Sequence, residues 1–259
     1  MTLVLTEDRG HVRHLVLNRP EKRNALHLDL VRAIGDALRA AGDDPAVRVV
    51  VVRGEGPVLS AGMDLGALAG LAAGGEDLAA FRRTCVEAWN AAEAMLKPVI
   101  CAIHGACIGG ALELALACDL RVMAAEAVAG MLEVRLGLIP DLGGASRLPQ
   151  VVGLGRAKEL VMTGRMIDGT EAERIGLVNR VAPAAELDTA VQALADELLA
   201  CAPIAVGQAK RVLDASARPA LGVTLELEEA AQALCVRSED FGEGVRAMSE
   251  RREPRFSGR

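Results

Sequence analysis

The chain of 259 residues has no tyrosine, and its aromatic side chains reduce to Phe81, Trp89, Phe241 and Phe256. Single-stranded nucleic acids are held on aromatic platforms that stack with the bases, and four scattered rings make no such platform. Lysine is nearly as scarce, confined to Lys22, Lys97, Lys158 and Lys210, and arginine carries most of the positive charge. The net charge is −6, which argues against nucleic acid or an anionic membrane as partner and leaves room for a local basic pocket taking a phosphorylated ligand. The arginine and alanine bias suggests a GC-rich bacterial genome.

Long apolar runs are missing too: no stretch of about 18 residues is free of charge, so no membrane-spanning helix is expected. The opening MTLVLTEDRGHVRHLVL lacks the basic-then-apolar order of a signal peptide, and a cytoplasmic protein is expected. Cys85, Cys101, Cys107, Cys118, Cys201 and Cys235 lie mostly in apolar segments, where cysteine behaves as a small hydrophobe; no disulfides are expected. Three common glycine motifs are absent. There is no G-x-x-x-x-G-K-[ST], Val58 occupies the place of the first glycine in G-x-S-x-G, and HGACIGG lacks the G-x-G-x-x-G order. Readings based on ATP, a serine nucleophile or NAD lose their support.

What is present is a chain long enough for one large α/β domain, or a core with a smaller appended part. HLVLNR (14–19) reads as a strand, and Leu26, Leu30, Ile34 and Leu38 follow at helical spacing. VRVVVVRG (47–54) is a β-branched run of the kind a doubly covered strand shows. The pattern repeats: a helix through EDLAAFRRTCVEAWNAAEAML, a strand in PVICAIH, a glycine turn, a short helix from Gly110 and a strand in DLRVMAA. Beyond about residue 150 helices dominate, with LVNRVA as the one brief strand candidate, and ALAGLAAGGED (67–77) reads as a mobile loop.

The segment HGACIGGALELALACDL (104–120) places Glu113 inside an otherwise apolar stretch. A buried, unpaired carboxylate is costly, and it shifts its pKa or takes part in chemistry. The glycines before it end a strand and open a helix, whose first N–H groups are free donors at the positive end of the helix dipole. VLSAGMDL (58–65) follows a buried strand in the same way, and its Ala61 and neighbours are candidates to present backbone N–H groups to an anionic oxygen; Ser60 or Asp64 would otherwise cap a helix. Two such loops could pinch one carbonyl oxygen, the arrangement that stabilises charge developing on oxygen in acyl transfer and enolate chemistry. Glu133 is a second carboxylate in an apolar context, and the chain between it and Glu113 can return to the same sheet edge. Two carboxylates facing one pocket can divide acid and base duties, because burial and repulsion separate their pKa values. A surface ion pair of Glu133 with Arg135 or Arg121 is the plainer reading, and Asp141, after Pro140, is most simply a turn or cap residue. Cys101, His104 and Cys107 have a spacing that suggests zinc, yet four converging ligands are lacking, and no metal is expected.

Taken together, NRPEKRNAL (18–26), SAGMDL (60–65), KPVICAIHGACIGGALELALACDLRV (97–122), LEVRLGLIPDLGGASRLPQVVG (132–153) and the C-terminal SEDFGEGVRAMSERREPRFSGR resemble the crotonase superfamily, the enoyl-CoA hydratase and isomerase family, over nearly the whole chain. The resemblance implies an α/β crotonase spiral of ββα units. It divides the chain into a core with the acyl-CoA site at 1–195 and a helical region at 196–259 for trimerisation and active-site cover. It also implies trimers or dimers of trimers, an acyl-CoA thioester substrate and no separate cofactor. Carried over residue by residue, the oxyanion hole falls on the N–H groups of Ala61 and Gly110, the hydratase glutamates on Glu113 and Glu133, and the CoA groove on Arg23, Ala25, Gly62, Met63, Asp64 and Leu65. The departures are Leu59 for an aromatic, Leu132 for a proline and Ala111 for a glycine. The expected activity is addition of water across the 2,3 double bond of an enoyl-CoA. The alternatives are conversion of 3,5-dienoyl-CoA to 2,4-dienoyl-CoA, in which the acidic trio includes Asp141, and a non-catalytic acyl-CoA-binding protein.

Overall fold

The structure is a computed structural model that describes residues 2–73, 77–217 and 221–257. Nine strands are present among these residues: β1 (Val4–Arg9), β2 (Val12–Leu17), β3 (Val49–Gly54), β4 (Val99–Ile103), β5 (Ala106–Ile108), β6 (Leu120–Ala124), β7 (Val128–Gly130), β8 (Ile167–Asp168) and β9 (Arg180–Ala182). Eleven α-helices accompany them. Those of the first half are α1 (Leu28–Asp43), α2 (Leu65–Ala72), α3 (Leu78–Ala94) and α4 (Gly110–Ala117). Those of the second half are α5 (Gly144–Val152), α6 (Leu154–Thr163), α7 (Gly169–Arg174), α8 (Leu187–Leu199), α9 (Pro203–Ala217), α10 (Leu221–Val236) and α11 (Glu239–Glu250).

The main sheet runs β1-β2-β3-β4-β6-β9, with β1 antiparallel to β2 and every later pair parallel. Val49 to Val52 of β3 and all five residues of β4 are buried, as strands covered on both faces require. On one face lies α1, whose stripe of Leu30, Ile34 and Leu38 is fully buried. It crosses α3 closely: a Cβ on Gly35 would stand 3.1 Å from Ala88 Cβ, so glycine sets the separation of the two helices. A second sheet, β5-β7-β8, runs off the end of β4 and carries the chain into the site.

The strand and helix alternation expected for the first half is present, and three expectations need correction. Residues 67–72 of the anticipated loop fall in α2, because the Asp64 carboxylate accepts from Gly66 N at 2.8 Å as N-cap and Leu68 and Leu71 are buried; residues 74–76 of that loop lie outside the described residues. The second half contributes two strands rather than one, since β8 adds to the small sheet. The boundary at residue 195 falls inside α8, which packs on β4, β6 and β9 and so belongs to the core. No single described helix is long and apolar enough to cross a membrane.

Candidate active site

Helix α4 begins where β5 ends. Gly109 is its N-cap with φ +54°, a conformation that favours glycine, and a Cβ there would stand 2.7 Å from Glu133 Oε1. One turn into α4, Glu113 is buried with 1% of its surface exposed. Its Oε1 accepts two backbone N–H groups, from Leu142 at 2.8 Å and Gly144 at 2.9 Å. Gly144 can come this close because it lacks a Cβ, which would stand 2.7 Å from that same oxygen. Burial, and then the charges of Glu133, Asp141 and Glu228, hold the Glu113 carboxyl well above the ordinary carboxylate range.

Glu133 opens a short 3₁₀ turn, Glu133–Leu136, closed by Gly137 at φ +75°. It forms no ion pair with Arg135 or Arg121: Arg121 instead donates to the carbonyls of Leu177, Ala115 and Cys118. Glu133 Oε2 is buried and receives no hydrogen bond among the described residues. Burial pushes this carboxyl up to about 7. Asp141 sits in the turn before α5, as expected, but it is buried. It is 7% exposed, takes Gln232 Nε2 on Oδ1 at 3.0 Å, and lies 3.5 Å from Arg82 Nε through Oδ2. Burial raises its carboxyl to about 8 against the pull of Arg82.

These three carboxyls line one cavity of about 570 Å³, with Gly110, Ala61, Gly62, Met63, Asp64, Leu65 and Ala25 also in its wall. Phe81, Leu136, Leu138 and Leu142 supply much of its apolar lining, and Gln232 and Val236 of α10 and Met248 of α11 close it from the C-terminal side. Arg23 is exposed and outside the wall, where its neighbour Lys22 stands instead. Asp64 is tied to Arg19 Nη1 at 2.6 Å, which fixes the start of α2 to the 18–26 segment.

The N–H donors are where the expectation from Ala61 fails. Ala61 N donates to the Arg23 carbonyl at 3.0 Å and Gly62 N to Ser60 Oγ at 3.1 Å, so neither is free. The N–H groups of Met63 and Gly110 go to no acceptor among the described residues. The two residues are neighbours: a Cβ on Gly110 would meet Met63 Sδ at 2.8 Å. The loops that carry them abut, since Gly62, at φ +90°, sits where a Cβ would be 2.6 Å from Ile108 O. Met63, rather than Ala61, faces Gly110 with an unused donor. Sequence spacing could not separate the two, because the difference lies in the Arg23 carbonyl, which accepts from Ala61 N and belongs to the distant 18–26 segment.

The buried glutamate and glutamine on α10 are also new. Glu228 accepts from Gly143 N at 2.9 Å and from the Ser146 hydroxyl, and Gln232 Oε1 accepts from Ile139 N at 3.0 Å. Nothing in the pattern of TLELEEAAQALCVRS separates Glu228 from the exposed Glu226 and Glu229. As for the cysteine and histidine spacing, Cys101 and Cys107 are fully buried and the His104 ring meets the Gly56 carbonyl at 3.0 Å. No group of His, Cys, Asp and Glu among the described residues could hold a metal ion, and all six cysteines are free thiols.

Comparison with known proteins places this geometry. A family model described as enoyl-CoA hydratase/isomerase matches residues 7–259. The chain is 36% identical over 254 residues to a crotonyl-CoA hydratase of Syntrophomonas wolfei, covering 98% of this chain and 97% of that one. It is 35% identical to a peroxisomal Delta(3,5)-Delta(2,4)-dienoyl-CoA isomerase of Arabidopsis thaliana, covering 94% and 92%. Among solved structures, a carnitinyl-CoA hydratase from Mycobacterium avium superposes with a TM-score of 0.89 at 34% identity, covering 100% of both chains. The protein is therefore an enzyme of the crotonase fold. Within that class, it belongs to the enoyl-CoA hydratase/isomerase family.

Proposed function

We propose that the enzyme hydrates a 2-enoyl-CoA thioester, and the observation that carries this is the meeting of Glu113 and Glu133 in one cavity beside the Met63 and Gly110 N–H groups. The thioester carbonyl oxygen takes those two N–H groups, at the N-terminus of α4. Water is held between the carboxyls of Glu113 and Glu133. One of them accepts a proton as the water oxygen bonds to C3, the electrons of the double bond pass to the carbonyl oxygen as an enolate, and a proton from the other carboxyl then closes the bond at C2. Atoms balance as one water added. The two N–H groups act where the charge develops, which is where preorganised donors contribute most. Burial and mutual repulsion keep both carboxyls from ionising together at neutral pH, so one is left as acid beside the other as base. The reaction needs no further cofactor. The names and identities of the hydratase relatives support the same reading.

A second reading has its own observation. Asp141 shares the cavity with its carboxyl raised to about 8, and a dienoyl-CoA isomerase is among the relatives; a third acid could return a proton to a distant carbon. Turnover measured on crotonyl-CoA, longer 2-enoyl-CoAs and a 3,5-dienoyl-CoA decides between the two. Hydration of a 2-enoyl-CoA at the higher kcat/KM is the expected result. Negligible hydration with rapid, Asp141-dependent dienoyl conversion would replace it by isomerisation. The proposal extends to a trimer or dimer of trimers, supported by exposed apolar residues on α9 such as Ile204 and Leu213, and to a cytoplasmic location, supported by the free thiols.

A further inference from the structure

The loop from Ile139 to Ser146 is gripped from both sides. Its successive N–H groups alternate between two carboxylates: Leu142 and Gly144 donate to Glu113, and Gly143, between them, donates to Glu228 Oε2 at 2.9 Å. The other Glu228 oxygen takes the Ser146 hydroxyl. Upstream, Gln232 holds Ile139 N and the Asp141 carboxylate. Arg82 of α3 fastens the assembly by donating to the Asp141 carbonyl at 3.0 Å and to the Leu225 carbonyl of α10 at 2.6 Å, with Glu228 Oε2 at 3.8 Å. Glu228 is 4% exposed and does not line the substrate cavity.

We propose that Glu228 is a positioning residue for the reaction: by holding Gly143 N–H it turns the flanking N–H groups of Leu142 and Gly144 onto Glu113, so that docking of α10 sets the orientation of the Glu113 carboxyl. The consecutive peptide units leave little freedom. If Gly143 N–H swings away, the peptides on either side rotate with it, and Glu113 loses the two bonds that fix Oε1. Its Oε2, the oxygen left for water, then wanders in the cavity. The burial of a carboxylate against a hydroxyl, a backbone N–H and a guanidinium, with the carboxyls of Asp141 and Glu113 nearby, is a cost that a role in loop placement explains and surface solvation does not.

The inference rests on the hydratase reading, and its test is arranged so that the two fail separately. Glu228→Gln keeps the reach, since its amide oxygen can accept Gly143 N–H while its NH₂ donates to Ser146 Oγ. Glu228→Asp keeps the charge and loses the reach. With crotonyl-CoA, kcat is expected to fall within about threefold for Glu228→Gln and up to about 100-fold for Glu228→Asp, the scale of a misplacement of about 1 Å. In a Glu113→Gln background the loss from Glu228→Asp should shrink to about twofold or less, because the effect passes through Glu113. A purely structural contribution would lower both backgrounds alike, and that outcome, or a Gln variant weaker than the Asp variant, overturns the proposal. Should the wild-type enzyme hydrate no enoyl-CoA, the hydratase reading fails, and amide hydrogen exchange at Leu142 and Gly144 decides the inference alone. Protection lost in Glu228→Asp and kept in Glu228→Gln supports it, and equal protection in both refutes it.

Discussion

Glu133 shows at the scale of one residue how a site trades stability for chemistry. Its carboxyl is buried, Oε2 receives no hydrogen bond among the described residues, and its pKa is raised from 4.5 to about 7. Between those values the folded protein holds a proton that the unfolded chain has released, so this residue makes stability fall as pH rises through the window. Glu133→Gln is therefore expected to melt above wild type at pH 8 and to lose that advantage near pH 4.5, as thermal scans across pH would show. The same variant, and Glu113→Gln, should lower hydration by roughly 10²- to 10⁴-fold, since each removes a positioned proton acceptor or donor. Asp141→Asn should cost much less in hydration, because its carboxyl is already engaged by Gln232 and Arg82. Unchanged turnover in either glutamine variant would remove that residue from the chemistry.

At the scale of an element, α4 presents a donor and a carboxyl from its first turn. Gly110 is the first residue of the helix, a position where proline is tolerated because its missing N–H would have no partner within the helix. Gly110→Pro should leave α4 intact by circular dichroism and lose about 3 kcal/mol of transition-state stabilisation, seen as a fall of about 10²-fold or more in kcat. Gly110→Ala is the control: it keeps the N–H, and its methyl crowds the flexible end of Met63 and meets Leu142 Cδ1 at an ordinary 3.7 Å. Equal loss in both variants would mean crowding rather than a missing donor. This element was legible in the sequence, since a glycine pair before an apolar run with one carboxylate is a pattern with few explanations. The small sheet was not, because β5, β7 and β8 are two or three residues long and alternation cannot show over so few. β1 escaped because its outer residues Glu7, Asp8 and Arg9 resemble a polar loop, and only pairing with β2 makes them a strand edge.

At the scale of the molecule, α9 buries Gly207 against Leu96 and leaves Ile204, Val212 and Leu213 at 80%, 62% and 66% exposure. Exposed apolar residues on one helix support the association proposed above. Sedimentation at micromolar concentration should show a trimer or a hexamer, and Leu213→Glu should shift it toward monomer while Ser216→Glu on the same helix does not; a stable wild-type monomer would count against the assembly.

Sequence alone determined the alternating core and the apolar helix around Glu113, because each is written in local period and composition; the pairing of Glu113 with Glu133 was implied only by the family resemblance, since by spacing Glu133 read as a surface ion-pair residue. The choice of Met63 over Ala61 as the second donor, the entry of Asp141 into the cavity and the recruitment of Glu228 from α10 were decided only in three dimensions. In each case the deciding atom, the Arg23 carbonyl, Gln232 Nε2 or the Gly143 N–H, comes from a distant part of the chain. Hydrogen bonds between segments so far apart leave no periodic trace in sequence, and burial of a lone glutamate among exposed ones depends on which turn of a helix faces the core.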